Sequence, residues 1–167
     1  MKIITKKYKV FSFEELSQEA KDKARQTFNE SNDYPFLQDD LREYIHEELL
    51  ENGYTHEEIT PLYSLSYCQG DGLMLESVIT DKKGNKFSIE HSGNYYHERS
   101  TRIMGEDKNG EEIDTIKFEE NFYIPLCKRI AQRGYDMIEY MESEESFTET
   151  CEANEYNFLE DGTMVNY

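Results

Sequence analysis

The chain of 167 residues carries 36 acidic against 18 basic side chains, a formal net charge of −18, with 37% hydrophobic residues, 13% aromatic residues and no tryptophan. That sign repels phosphates and anionic lipid headgroups, so direct binding to DNA, to RNA or to a membrane surface is set aside as a first expectation. The length suits one domain, residues 1–167, and thirteen Tyr with nine Phe provide the buried area that disordered chains lack.

The opening Met1–Lys9 has no apolar segment of the kind a secretory signal needs, and no apolar run reaches the roughly 18 residues that cross a bilayer. Lys2–Val10 reads as an edge strand, its lysines blunting edge pairing. Ser12, with Glu15 three residues on, has capping-box spacing, and Ser17 precedes the helix-forming run Gln18–Arg25. Leu16, Ala20, Ala24 and Phe28 define one buried face of this first helix, which ends near Asn29–Asn32. A second helix is predicted over Leu37–Asn52, with Leu37, Leu41, Ile45 and Leu49 inward and Gly53 as its C-cap.

Strands are expected at Leu62–Gln69, Leu73–Thr80 and Lys86–His91, with a further strand or loop at Asn94–Met104 and a turn at Glu106–Glu112. Pro125–Glu142 reads as a long helix with the stripe Leu126, Ile130, Met137, Ile138 and Met141, weakened midway by Gly134. A short helix is expected over Phe147–Asn154 and a closing hairpin turn at Asp161-Gly162. The fold class is therefore α+β: an antiparallel sheet with a central hairpin, packed by about three helices.

The stretch "YSLSYCQGDGLML", residues 63–75, sits at the centre of that hairpin. Asp71-Gly72 matches a two-residue type I′ turn, which sets Leu65 opposite Val78, Tyr63 opposite Thr80 and Cys68 opposite Leu75. A phosphate-binding loop would open a helix and carry a lysine, and neither is present. Gln69 and Asp71 remain candidates for a polar clasp at the hairpin tip.

No catalytic motif of the Ser-His-Asp, HExxH or P-loop kind occurs. His91 and His97 lie near one another in sequence and Asp71 could approach them as a metal-dependent site, but their spacing is unspecific. His46 and His56 each neighbour a glutamate and read as surface residues. The three cysteines, Cys68, Cys127 and Cys151, form no Cys-x-x-Cys pair, so reduced thiols and a cytoplasmic protein are expected. The expectation is no enzyme, no cofactor and no metal.

The excess charge is confined to two blocks. Residues 26–60 hold ten acids and only Arg42, a net of −9; residues 134–167 hold ten acids and no Lys or Arg, a net of −10. Glu47–Glu51 lie at the end of the second helix, where the helix dipole favours cations, so stability alone does not account for them. The candidate partner-binding residues are Asp39, Asp40, Glu43 and Glu47 in the first block. In the second they are Glu139, Glu142, Glu144, Glu145, Glu149 and Glu152, with Tyr140 and Tyr156 as contact anchors.

Three segments, "YKVFSFEELSQEAKDKAR", "LYSLSYCQGDGLML" and "EANEYNFLEDGTMVNY", resemble small acidic proteins of bacteriophages and prophages, some of them labelled antitoxin-like. The resemblance is discontinuous, and Gln69–Gly72 is its specific part. It implies a bacterial host cell and, by analogy with other small acidic phage proteins, inhibition of a host defence enzyme such as a CRISPR or restriction nuclease. The expected function is a non-catalytic inhibitor that mimics nucleic acid on a basic protein surface. The alternatives are an antitoxin-like protein that neutralises a basic toxin, and the metal-dependent enzyme using Asp71, His91 and His97.

Overall fold

The structure is a computed structural model that describes residues 7–31 and 34–165. It is α+β, and its residues gather into two compact units: Pro35–Met137, and Met1–Tyr34 with Ile138–Tyr167.

The larger unit begins with α2 (Leu37–Glu51), the second helix in chain order, whose Leu37, Leu41, Ile45 and Leu49 are buried as their four-residue spacing requires. Gly53 takes a φ of +79°, and the N–H groups of Gly53 and Tyr54 donate to the carbonyls of Leu50 and Leu49, both at 2.9 Å. This is a Schellman ending, and it needs the left-handed residue that glycine supplies without strain.

The strands are β1 (Thr55–His56), β2 (Thr60–Ser64), β3 (Gly72–Thr80), β4 (Lys86–His91), β5 (Thr101–Glu106) and β6 (Glu112–Ile113). Among the described residues they form one antiparallel sheet in the order β1-β3-β4-β5-β6, with β2 also paired to β3. β3 is its spine: Leu73, Met74, Leu75 and Ile79 are all buried. The β3–β4 and β5–β6 turns are built alike. In each, an aspartate (Asp81, Asp107) accepts backbone N–H groups two and four residues on, at 2.7–2.9 Å, while Gly84 and Gly110 take φ of +85° and +82°.

The β2–β3 hairpin exists, but its register differs from the type I′ expectation. Tyr63 faces Leu73 and Ser64 faces Gly72, so β2 ends at Ser64 and residues 65–71 form a loop. Leu65 does not face Val78, Tyr63 does not face Thr80, and Cys68 has no strand partner. Two contacts account for the shift. Gly72 already lies in β3, where a Cβ would come within 2.8 Å of His97 Cβ. Leu65 is buried against the long helix at Gly134, where a Cβ would come within 2.5 Å of Leu65 Cδ1. Gly134 is thus a point of close approach, not a mere weakness in the helix.

That helix follows a short helical turn, α3 (Ile116–Phe118), and a π turn (Glu119–Tyr123), neither expected from sequence; it is α4 (Ile124–Met141). Phe118 stacks on Phe87 with ring centroids 3.9 Å apart, and Tyr123, Leu126, Cys127 and Ile130 are wholly buried. The boundary between the two units falls within α4.

The smaller unit contains a 3-10 turn (Phe13–Glu15), α1 (Gln18–Glu30) and α5 (Glu144–Ala153). Ser12 N–H donates to Glu15 Oε2 at 2.9 Å, and Ser17 Oγ accepts from the N–H of Ala20 at 3.3 Å, so both serines cap. Ser143 caps α5, accepting from Ser146 N–H at 3.2 Å, which starts the helix earlier than expected. Phe13, Leu16, Ala20, Ala24, Phe147, Cys151 and Phe158 form the core. Of the strand expected at Lys2–Val10, Lys2–Lys6 lie outside the described residues, and residues 7–10 form none. Phe11 makes only a bridge to Phe158. The closing turn at Asp161-Gly162 is present, and Lys23 Nζ holds Asp161 at 2.7 Å.

Candidate functional site

The buried stripe of α2 fixes what its opposite face must show. Asp40, Glu43, Glu47 and Glu51 fall three, four and four residues apart, and all are exposed. At 1.5 Å rise per residue they make one carboxylate row about 16 Å long. Asp40, Glu43 and Glu47 have no ion-pair partner among the described residues, whereas Asp39 is held by Arg42 at 2.7 Å. Glu48 lies off this row: Arg129 at 2.7 Å and Arg133 at 3.8 Å neutralise it, and its side chain is 15% exposed. The cations missing from the end of α2 are therefore supplied in part by α4.

In the smaller unit, α5 turns Phe147 and Cys151 inward. Glu145, Glu149 and Glu152, at i, i+4 and i+7, are exposed as a second row. Glu139, Glu142 and Glu144 are exposed as well. Arg25 approaches Glu144 at 3.9 Å, and Tyr34 hydrogen-bonds Glu142. Burial, with that carboxylate beside it, pushes the Tyr34 phenol up to about 12. Tyr140 is 50% exposed and donates to Glu149 Oε2 at 3.2 Å; that bond and the Glu149 charge raise its phenol above the usual value. Tyr156 is half-buried against the aromatic core, so it is more a packing residue than a free anchor.

The loop at residues 65–71 is organised by Asp71. Its Oδ1 accepts from Ser64 Oγ at 2.6 Å, and its Oδ2 accepts from the N–H groups of Ser66 at 2.6 Å and Cys68 at 2.8 Å. Tyr135 Oη donates to Oδ2 at 3.4 Å. Desolvation pushes the Asp71 carboxyl up, but these bonds together outweigh it and hold the group below the ordinary carboxylate value. The two N–H groups on Oδ2 flank Tyr67, which is held in the left-handed region at φ +58° and is 73% exposed. Gln69 is exposed in the same loop.

Three tyrosines come together at this loop, Tyr67 within it and Tyr95 and Tyr135 against it, and sequence reading passed over them. Tyr67 lies against Tyr135 with ring centroids 4.6 Å apart. The Tyr95 ring covers Gly70, where a Cβ would come within 2.5 Å of it; Gly70 has a φ of +91°. Tyr95 also stacks with His97, and Tyr96 lies against His91. The available signal was an aromatic density, Tyr67 and the pair Tyr95-Tyr96, in segments otherwise polar and glycine-rich.

The third function expectation required Asp71, His91 and His97 to converge on an ion. Each spends its polar atoms elsewhere. His91 Nε2 meets the Tyr95 carbonyl at 3.0 Å, His97 Nδ1 accepts from Arg99 N–H at 3.1 Å, and Asp71 serves its loop. No cluster of three metal-ligating side chains occurs among the described residues. His46 and His56 are not simple surface residues: they are half-buried, and His46 Nδ1 lies 2.7 Å from His56 Nε2. No helix among the described residues is long and apolar enough to cross a membrane.

No protein-family model matches the chain, and neither a curated protein nor a solved structure matches it.

Proposed function

We propose that this protein is a non-catalytic inhibitor that acts in the cytoplasm of a bacterial host and binds a basic protein partner as a mimic of nucleic acid. The observation that carries the reading is the α2 row: Asp40, Glu43, Glu47 and Glu51, all exposed, opposite a wholly buried apolar stripe. Carboxylates at axial intervals of about 5–6 Å offer a cationic groove a regular line of charge. Duplex DNA offers its own at about one phosphate per 1.7 Å of axis. The α5 row repeats the arrangement in the smaller unit. Self-repulsion of this size opposes compaction, so the rows are retained against stability.

The resemblance to phage proteins directs the choice of partner toward a host defence nuclease, such as a CRISPR or restriction enzyme. Inhibition by occupancy needs no cofactor and no reactive side chain. The test is to recover the partner from host lysate with tagged protein and to titrate the complex with labelled duplex. Mutually exclusive binding at one-to-one stoichiometry is expected. A partner that binds the protein and the duplex together contradicts the proposal, and a basic partner with no nucleic-acid affinity favours the antitoxin-like alternative.

A further inference from the structure

We infer that the exposed tyrosines at the residue 65–71 loop form an aromatic platform for arginine side chains of the partner, with Tyr67 as its centre. The inference rests on the proposed function for the basic character of that partner. The first support is the backbone. Left-handed conformation costs an L-residue with a Cβ about 1–2 kcal/mol, and turns that need it normally use Gly or Asn. A tyrosine stands there instead, at φ +58°, held by one carboxylate through the peptide N–H groups on either side of it. Tyr67 is 73% exposed, so its burial does little to offset the strain. Strain held in place by a dedicated side chain is characteristic of residues positioned for contact.

The second support is the local charge. The Asp71 carboxylate under the loop is committed to Ser64, Ser66, Cys68 and Tyr135, while Glu98 pairs with Lys128 at 3.6 Å and Glu48 with Arg129 and Arg133. Exposed tyrosines are the composition of an interface centre, and a net charge of −18 on the chain selects a cationic partner for it. A partner selected by that charge is rich in Arg and Lys, and of the two, the planar guanidinium stacks on tyrosine faces. The protein makes this contact within itself, with the Arg133 guanidinium 4.7 Å from the Tyr44 ring centroid. Tyr67 with Tyr135, and Tyr95 over Gly70, present rings whose rotamers are already restricted, which lowers the entropic penalty of binding.

The test uses two probes, an arginine-rich peptide and a lysine-rich peptide of equal length and charge, titrated calorimetrically into the full chain. The wild type is expected to bind the arginine peptide several-fold more tightly. Tyr67→Gly, which removes the ring and relieves the left-handed strain, is expected to abolish that preference while the melting temperature stays level or rises; Tyr67→Phe is expected to keep the preference. Equal affinity for the two peptides in the wild type, or a preference that survives Tyr67→Gly, overturns the platform. If both peptides bind equally and both weaken on replacement of Glu139, Glu142, Glu144 and Glu145 by Gln, the platform falls and the carboxylate reading stands. A Tyr67-dependent arginine preference that ignores both salt and those glutamates leaves the platform standing and removes the carboxylate reading. Tyr67-dependent binding of an oligothymidylate, with no peptide binding, overturns the assignment in favour of stacked bases.

Discussion

Gly162→Ala is expected to destabilise the smaller unit by more than about 3 kcal/mol. Two contributions add. Gly162 has a φ of +82°, where a Cβ is strained by about 1–2 kcal/mol. A Cβ there would also overlap the backbone carbonyl of Ala20 in α1, which no rotamer change can relieve. Gly110→Ala is the matched control: its φ is also +82°, but nothing lies within 4 Å of the added Cβ. Only the strain should appear there, about 1–2 kcal/mol. Urea unfolding of both variants separates the two contributions. Equal losses would show that the closing turn does not press on α1.

Asp71→Ala is expected to lower stability by about 2–4 kcal/mol, because it leaves the N–H groups of Ser66 and Cys68 without their charged acceptor. Asp71→Asn should lose only about 1 kcal/mol, since a flipped amide still accepts both N–H groups and donates to Ser64 Oγ, without the charge. The dependence on pH distinguishes the two roles of the carboxylate. Its folded-state value lies below the unfolded one, which is about 3.9, so its contribution is fully present above that pH. It is lost as pH falls through the folded value. The wild-type advantage over Asp71→Asn should therefore hold at neutral pH and shrink in acid. A constant difference would mean that the loop is held by shape alone.

These two positions also show how far the sequence could be read. Elements set by local rules were legible. Lys86–His91 is a strand with the expected bounds, α2 shows its four-residue stripe and Gly53 cap, and Asp161-Gly162 turns the chain. What failed depended on contacts distant in sequence. Asp71-Gly72 looks like a turn because both residues favour turns, yet Gly72 is needed for the approach of His97 and Asp71 as an acceptor for its loop. Leu65 continues the alternation of β2 but leaves the strand to pack on Gly134. The α2 carboxylate face was legible because helical periodicity fixes it once the apolar stripe is known; the α5 row was not, because the Ser143 cap starts that helix before Phe147. The tyrosine platform was not, because Tyr67, Tyr95 and Tyr135 come from three segments that reach one loop only in the fold.

The claim that the carboxylates engage a basic nucleic-acid channel is tested most directly by association kinetics with the recovered partner. The comparison is between the wild type and the variant with Glu139, Glu142, Glu144 and Glu145 replaced by Gln. All four are exposed, and a Gln at 142 or 144 can still accept from Tyr34 or Arg25, so the fold should persist. The loss should fall on the association rate, because long-range charge steers encounter more than it holds a complex. Wild-type association should also slow as the Debye length shrinks from about 10 Å at 0.1 M salt to about 3 Å at 1 M. A slower, less salt-sensitive variant is the predicted result; equal association rates for the two proteins, with no salt dependence in either, would contradict the account.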